Sequence, residues 1–458
     1  MPLTRRELLK GAVAAGGLTA LGAGTASALG PRLLPDVGRR DLGSPANAPI
    51  DTVVVVMMEN RSFDHFLGWM PDTIHDRTRT YVNGEGEPFT PYHLGTDFRG
   101  CGHPDPGHGW NHGRAQLGPD RDASGFLAPG SGNDEFAVGY YNGDDIPVWK
   151  ALSEQGTIVD QYFCSVLTST WPNRWYQHGA TSGGRQGNSI PTSPAGFPDT
   201  TIWDRCDAAG VSWAYYYSNL PFIGLYGHRF MVGRAANVRH VSAFYADAAT
   251  GTLPQVCFVD PFFTTPAEGI GNDDHPLADI RLGQQFLADV VGAFTRSSQF
   301  GRGALFVNYD EWGGFFDTVI PPLAADERAA QGFDQLGFRT PAVVISPRAR
   351  KGAVSSQLVT GAAYDATSIL KFIEWRFGLA PLTLRDADAR NIGELLDFAK
   401  GPEIVDIPEY KAPADAFMAC AVEDQLPAEV SEWEHLLELG YFDALGLRTD
   451  HKLRDSFA

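Results

Sequence analysis

An α/β fold, with a central and largely parallel β-sheet covered by helices on both faces, is predicted by three observations. Short apolar runs rich in valine recur along the chain and alternate with stretches of helical periodicity, the pattern of βαβ units. Several of these runs stop at oxygen-bearing side chains: residues 53–58 run into Glu59-Asn60, and 304–309 run into Asp310-Glu311. At 458 residues the chain can bury a large core, and 43% hydrophobic with 20% charged residues is a globular balance. In open α/β sheets ligands gather beyond the carboxyl ends of the strands, so those polar tips are where function is sought.

Taken in order, residues 1–28 read as a targeting segment. Thr4-Arg5-Arg6-Glu7-Leu8-Leu9-Lys10 is a twin-arginine signal, residues 11–25 are weakly apolar, and Ala26-Ser27-Ala28 is a small-residue cleavage site. This predicts export of the folded chain by the twin-arginine machinery, to a secreted, periplasmic or cell-surface location. No other segment has ~18 consecutive apolar residues, the length of a membrane-spanning helix. Residues 29–50 read as a linker, 51–400 as the main domain and 401–458 as a C-terminal extension packed on it. A first strand is expected at 52–58, then a loop-rich insertion over about 70–145, where glycine, proline and aspartate break any period. Apolar patterning returns at 148–153 and 157–164. A helix carrying Trp203, Cys206 and Ala209 leads to a strand at 210–216, and 256–260 is a further strand ending in Asp260. Leu282, Phe286, Val290 and Phe294 repeat at helical spacing. Residues 304–309 and 342–346 are buried strands, the second stopped by Pro347. The segment 364–377 is a helix with Ile369, Phe372, Ile373 and Phe377 on its core face and Gly378 at its end. A last amphipathic helix is expected near 429–439.

A formal charge of −19 excludes a nucleic-acid binder, which needs clustered Lys and Arg against phosphates. It also opposes tight electrostatic binding to an anionic membrane, while leaving transient contact with a membrane surface open. A small anionic substrate is compatible with it, because a bound metal reverses the local field. Five scattered cysteines (Cys101, Cys164, Cys206, Cys257, Cys420) form no CxxC or zinc-like spacing; in an exported chain two or four of them would pair.

Three groups of residues carry chemistry. Glu59, Asn60, Asp310 and Glu311 are all oxygen donors, a set that suits one divalent ion of the Ca²⁺, Mg²⁺ or Mn²⁺ kind if the two strand ends are neighbours. Read blandly, each pair is only a polar strand-end turn. In Thr168-Ser169-Thr170-Trp171-Pro172-Asn173-Arg174, proline in a first helical turn places Thr170 at or near the N-cap. Backbone N–H groups there favour phosphate, and a hydroxyl beside a metal is a competent nucleophile. Asn173 and Arg174 would then support phosphate oxygens or order the loop. Of the histidines, His275 in Asn272-Asp273-Asp274-His275-Pro276 stands out, since Asp274 could orient it, and imidazole titrates where a leaving oxygen needs its proton. His103, His108 and His112 lie in a glycine-broken stretch that argues against a helix carrying His108 and His112 together. The aromatic run Trp213, Tyr215, Tyr216, Tyr217, Phe222 and Tyr226 offers either a wall for choline or lipid, or core packing.

The ordered set resembles the bacterial phosphoesterase family that includes phosphatidylcholine-type phospholipases C and related acid phosphatases. The matching stretches are Glu59-Asn60-Arg61-Ser62-Phe63-Asp64-His65, Thr170-Trp171-Pro172-Asn173-Arg174, Asp273-Asp274-His275-Pro276, Tyr309-Asp310-Glu311 with Gly313-Gly314-Phe315-Phe316-Asp317, and Ser346-Pro347. The resemblance implies an alkaline-phosphatase-like fold and one metal ion held by Glu59, Asn60, Asp310 and Glu311 in contact with Thr170 as nucleophile. It implies His108 and His275 as the histidines of the reaction; Asn60, Asn173, Arg174 and Asp274 are expected on the substrate side from their places beside these residues. The chain departs from the family pattern at Trp312, Thr318 and Ala366, where histidines are common, and at Thr168-Ser169, where Gly-Pro is common. The function expected is an exported, metal-dependent phosphoric ester hydrolase of phospholipase C type working through a phosphothreonine, on a phospholipid or a small phosphoester. A phosphomonoesterase is the alternative within the class, and a non-catalytic surface protein that binds phosphorylated ligands is the alternative outside it.

Overall fold

The computed structural model describes residues 39–265, 269–421 and 432–458. The twin-arginine segment and the first part of the linker lie outside the described residues. Eight strands form the central sheet: β1 Thr52–Met58, β2 Thr157–Ile158, β3 Trp213–Tyr217, β4 Val238–His240, β5 Val256–Val259, β6 Gly303–Tyr309, β7 Ala342–Ile345 and β8 Ala353–Val354. Across the sheet they run β8-β2-β7-β6-β1-β5-β3-β4. Every neighbouring pair is parallel except those of β7, which is antiparallel to both β6 and β2. The reason lies in the connection: between Tyr309 and Ala342 the chain forms no crossover helix, only the short turn Ala329–Gln331. It therefore re-enters the sheet from the edge at which it left, pairing Asn308 with Ala342.

Side chains alternate across the sheet. Val53 and Val55 join Phe258, Phe306 and Val344 against the helices α1 Thr170–Gly179 and α3 Ala366–Phe377. Val54, Val56 and Met58 join Val259, Leu305 and Val307 against α2 Ile280–Arg296, whose Phe286, Val290 and Phe294 face the sheet. Burial on both faces explains why β1 is an unbroken apolar run, each fully buried valine contributing roughly 1.5–3 kcal/mol. α3 is opened by Asp365, which accepts from Thr367 N and Ser368 N, and closed by left-handed Gly378.

Of the two readings of the aromatic run, core packing is the one the structure shows. Trp213, Tyr215, Tyr217, Phe222 and Tyr226 pack in the cluster on one face and Tyr216 in that on the other, all nearly inaccessible. A central strand buried on both faces produces the same run of rings. Within the insertion, a helix Trp110–Leu117 does form, beginning just past Gly109, so it carries His112 and leaves His108 on the preceding loop. Cys101 pairs with Cys420, tying the insertion to the C-terminal extension, while Cys164, Cys206 and Cys257 are buried free thiols. Helix Glu432–Glu438 contributes Trp433 and Leu436 to the main core.

Candidate active site

The register of the parallel strands assembles the site. Met58 pairs with Tyr309 and Val56 with Val259, so β1, β6 and β5 end close together and deliver Glu59, Asp310 and Asp260 to one edge. Asn60 follows in left-handed conformation (φ 57°), and its N–H donates to Asp310 Oδ1 at 3.2 Å, which also accepts from Glu311 N at 2.6 Å. Gly313 lets the second tip close over the first: a Cβ there would stand 2.0 Å from Asn60 O. From the opposite side α1 brings Thr170, whose Oγ1 donates to Asn60 Oδ1 at 3.2 Å. The two strand tips and the threonine expected from the sequence are therefore neighbours.

Arg174, one helical turn beyond Thr170, is fully buried and meets three carboxylates: Glu59 Oε1 at 3.2 Å, Asp260 Oδ1 at 3.2 Å and Asp310 Oδ2 at 3.4 Å. Three buried carboxylates thus share one guanidinium, and a fourth, Glu311, follows Asp310 directly. Burial pushes all four up from the usual carboxylate range, and Arg174 pulls Glu59, Asp260 and Asp310 back towards ionisation. Glu59 Oε1, Asp260 Oδ1 and Asp310 Oδ2 meet Arg174 as ion pairs without hydrogen-bond geometry, and Glu311 Oε1 has no hydrogen-bond partner. Buried acid in excess of its one arginine, with the Glu311 oxygen unpartnered, suits a hard divalent ion, so the donor set Glu59, Asn60, Asp310, Glu311 and Thr170 fits the oxygen-liganded metal expected from the sequence.

Towards solvent, His108 and His275 complete the site. His108 Nε2 lies 3.5 Å from Asn60 Nδ2 and 4.0 Å from Glu311 Oε1, and His275 Nε2 lies 3.8 Å from Asp105 Oδ2. Asp105, His108 and His275 offer ligand atoms all within 4.8 Å of one another.

Three expected substrate contacts are corrected. Asn173 spends its amide on its own loop, accepting from Val166 N and donating to the carbonyls of Val166, Thr168 and Ser169. Arg174 is inaccessible behind the carboxylates. Asp274 turns inward: Tyr309 donates to its Oδ2, and burial raises its carboxyl to about 7. The helix N-terminus is also a poorer phosphate cradle than expected, since Trp171 N donates to Asn188 Oδ1 and Pro172 has no N–H. The departures from the family pattern have structural partners: Trp312 Nε1 donates to Gln116 Oε1 at 2.7 Å, Thr318 Oγ1 to Asp64 Oδ2 at 2.6 Å, and Ala366 opens α3. Sequence reasoning missed Asp260 and Asp105 as site residues. Asp260 carried the same signal as the other tips, an acid directly after an apolar strand; Asp105, in a Gly/Pro loop, carried only its nearness to His108.

The chain belongs to the Phosphoesterase family, which it matches over residues 50–380, and is thereby a phosphoric ester hydrolase. It is 31% identical over 408 residues to non-specific phospholipase C1 of Arabidopsis thaliana, covering 80% of this chain and 73% of that one. With phospholipase C B of Mycobacterium tuberculosis (strain ATCC 25618 / H37Rv) it shares 30% identity over 423 residues, 77% of this chain and 78% of the relative. Among solved structures, the lipoteichoic acid synthase LtaP from Listeria monocytogenes aligns over 91% of this chain and 98% of that chain, with a TM-score of 0.40 and 9% identity. A protein in the alkaline phosphatase superfamily from Vibrio parahaemolyticus aligns over 75% of this chain and 69% of that chain, with a TM-score of 0.35 and 11% identity. Membership of an enzyme family sets aside the non-catalytic reading.

Proposed function

We propose that the protein is an exported phospholipase C-type hydrolase in which Thr170 is the nucleophile and a phosphothreonine the intermediate. The observation that carries this is the placement of the Thr170 hydroxyl, 3.2 Å from Oδ1 of Asn60, whose N–H in turn donates to Asp310 at the buried strand ends that carry Glu59 and Glu311. Thr170 Oγ1 gives up its proton as it bonds to phosphorus, the bond from phosphorus to the leaving oxygen breaks in line and that oxygen takes up a proton to depart as the alcohol; water then attacks the phosphothreonine, its oxygen going to the phosphate and a proton to Oγ1, which restores the hydroxyl. A divalent ion held by Glu59, Asn60, Asp310 and Glu311 would supply acidification of that hydroxyl and charge neutralisation on the phosphoryl oxygens. Asn60 orients Thr170. Arg174 holds the acid side chains in place, and His108 and His275, on the solvent side, face the departing oxygen. The Cys101–Cys420 disulfide supports an oxidising, extracytoplasmic location for the mature chain.

Thr170→Ala is expected to lower turnover on the order of 10³-fold or more with metal content nearly unchanged, while Thr170→Ser retains measurable activity; full activity in Thr170→Ala overturns the assignment. Phospholipase activity is supported by the relatives' names and not by an aromatic wall, which packs as core, so a phosphomonoesterase stays as the second reading. Release of diacylglycerol from phosphatidylcholine, compared with release of inorganic phosphate from simple monoesters, separates the two; equal or faster monoester turnover rejects the lipid preference.

A further inference from the structure

We propose that Asp105, His108 and His275 form a second cation site on the solvent side of the nucleophile, selective for a nitrogen-accepting ion of the Zn²⁺ class. The proposal deepens the reading above, resting on it for the position of the leaving oxygen, but the ion site itself stands on its own geometry. Both histidines are oriented as ligands are. His108 Nδ1 is 2.7 Å from Pro106 O and His275 Nδ1 is 3.1 Å from Pro276 O. A carbonyl only accepts, so in each ring Nδ1 carries the proton and Nε2 presents a lone pair, the arrangement that outer-shell carbonyls impose on metal-binding histidines. One ring nitrogen of each histidine and a carboxylate oxygen of Asp105 converge within 4.8 Å, and His275 Nε2 is already 3.8 Å from Asp105 Oδ2. Ligands about 2.1 Å from a tetrahedral ion stand roughly 3.4 Å apart, so a contraction of about 1 Å across the three groups completes the set.

A second observation points into the same space. Glu311 is fully buried, its Oε2 accepts from Gly313 N at 2.7 Å, and its Oε1 has no hydrogen-bond partner. That orphan oxygen lies 4.0 Å from His108 Nε2, behind the triad and on the border with the all-oxygen site of Glu59, Asn60 and Asp310. Donor chemistry differs across that border. Oxygen ligands alone favour Ca²⁺, Mg²⁺ or Mn²⁺, whereas two imidazoles with one carboxylate are a three-ligand set that leaves coordination positions open for water or substrate. An ion there would act on the leaving oxygen as a Lewis acid, which gives His108 and His275 a function in a site whose other family histidines are replaced by Trp312, Thr318 and Ala366.

The loop carrying this triad is braced. Gln116 Nε2 donates to the carbonyls of Gly107 and Ser131, while its Oε1 accepts from Trp312 Nε1. The Cys101–Cys420 disulfide stands four residues before Asp105, and Cys420 Sγ lies 4.0 Å from the carbonyl of Leu277 in the His275 loop. The two loops that supply the ligands are therefore held to each other from outside, without use of the ligand atoms.

The test is titration of the chelator-stripped, full-length mature protein with Co²⁺ and with Zn²⁺, followed by calorimetry, metal analysis and, for Co²⁺, visible absorption. Wild type is expected to bind two equivalents, one of them producing the intense visible band of a low-coordinate nitrogen–oxygen site. Asp105→Asn and His275→Gln, on separate loops at the accessible rim, are each expected to lose that band and one equivalent, or to weaken it at least tenfold, while keeping the other. Thr170→Ala is expected to retain the band. One equivalent in wild type, or a band unchanged in both rim variants, overturns the second site and leaves the Thr170 assignment to its own test.

Discussion

Arg174 gives the sharpest prediction about how the site is held together. Its guanidinium is inaccessible and contacts Glu59, Asp260 and Asp310 at 3.2, 3.2 and 3.4 Å, acids that are themselves at most 3% exposed. Arg174→Met keeps the length and apolar stem of the side chain and removes the one arginine or lysine that, among the described residues, contacts these three acids. Removing one partner of a buried ion pair costs about 3–5 kcal/mol, because the remaining charge is left without compensation. Three acids share one cation here, but the cost does not triple: the acids can take up protons, and each pKa unit of that response limits the loss to about 1.4 kcal/mol. A destabilisation of about 3–5 kcal/mol is therefore expected in chelator at neutral pH, read from urea unfolding midpoints. Saturation with Ca²⁺, Mg²⁺ or Mn²⁺ should recover part of it, since an ion at 100 times its dissociation constant contributes about 2.7 kcal/mol. Arg174→Lys should fall between, since one ammonium cannot reproduce a three-way fork. If Arg174→Met lies within about 0.5 kcal/mol of wild type in chelator, the range of an inconsequential surface change, the charge cluster is not what Arg174 serves.

Other predictions follow from single features. His178 is buried among Trp203, Tyr215, Phe222 and Phe258 with neither ring nitrogen partnered, and burial pushes its pKa from 6.5 down to about 3. Between those values the unfolded chain binds a proton that the folded chain refuses, so stability falls as pH drops below 6.5. His178→Leu should flatten that acid limb by about 2–3 kcal/mol at pH 4.5, and parallel limbs in the two proteins would reject the idea. Replacing Cys101 and Cys420 together by serine should cost about 2–5 kcal/mol and open the extension near residue 420 to proteolysis; an unchanged melting temperature and cleavage pattern would show that the bridge restrains nothing. Lysine at both Arg5 and Arg6 should leave the protein in the cytoplasm by fractionation, and continued export would reject the twin-arginine route.

Most of the chemistry was legible in the sequence because it sits at strand ends. β1 and β6 are long and apolar on both faces, so their boundaries, and the acids beyond them, stand out from the pattern alone. That the two tips would touch also required a parallel register, which the alternation with helices favoured. The two- and three-residue strands β2, β4 and β8 are too short to carry a period. The reversed direction of β7 depends on the path of residues 310–341, which composition does not encode. Side-chain direction was hidden in the same way. Asn173 and Arg174 lie beside Thr170 in sequence, yet one turns back to its own loop and the other passes beneath the site, choices set by which buried oxygens lacked a donor.

That last choice ties the stability of the site to its reactivity. Thr170 and Arg174 stand four residues apart, hence on the same face of α1, and both face the strand ends. Arg174 anchors the helix to β1, β5 and β6 through Glu59, Asp260 and Asp310, and Asn173 anchors it to the loop that leads into it. With the helix fixed at these two points, the Thr170 hydroxyl has one place to lie, against Asn60, whose own left-handed backbone is held by Asp310. The acids that would bind the ion are thus the same groups that position the Thr170 hydroxyl. A change that loosens Arg174 should lower turnover with the hydroxyl, the histidines and every proposed metal ligand still present, because a displacement of about 1 Å at an attacking atom is enough to cost on the order of 100-fold in rate.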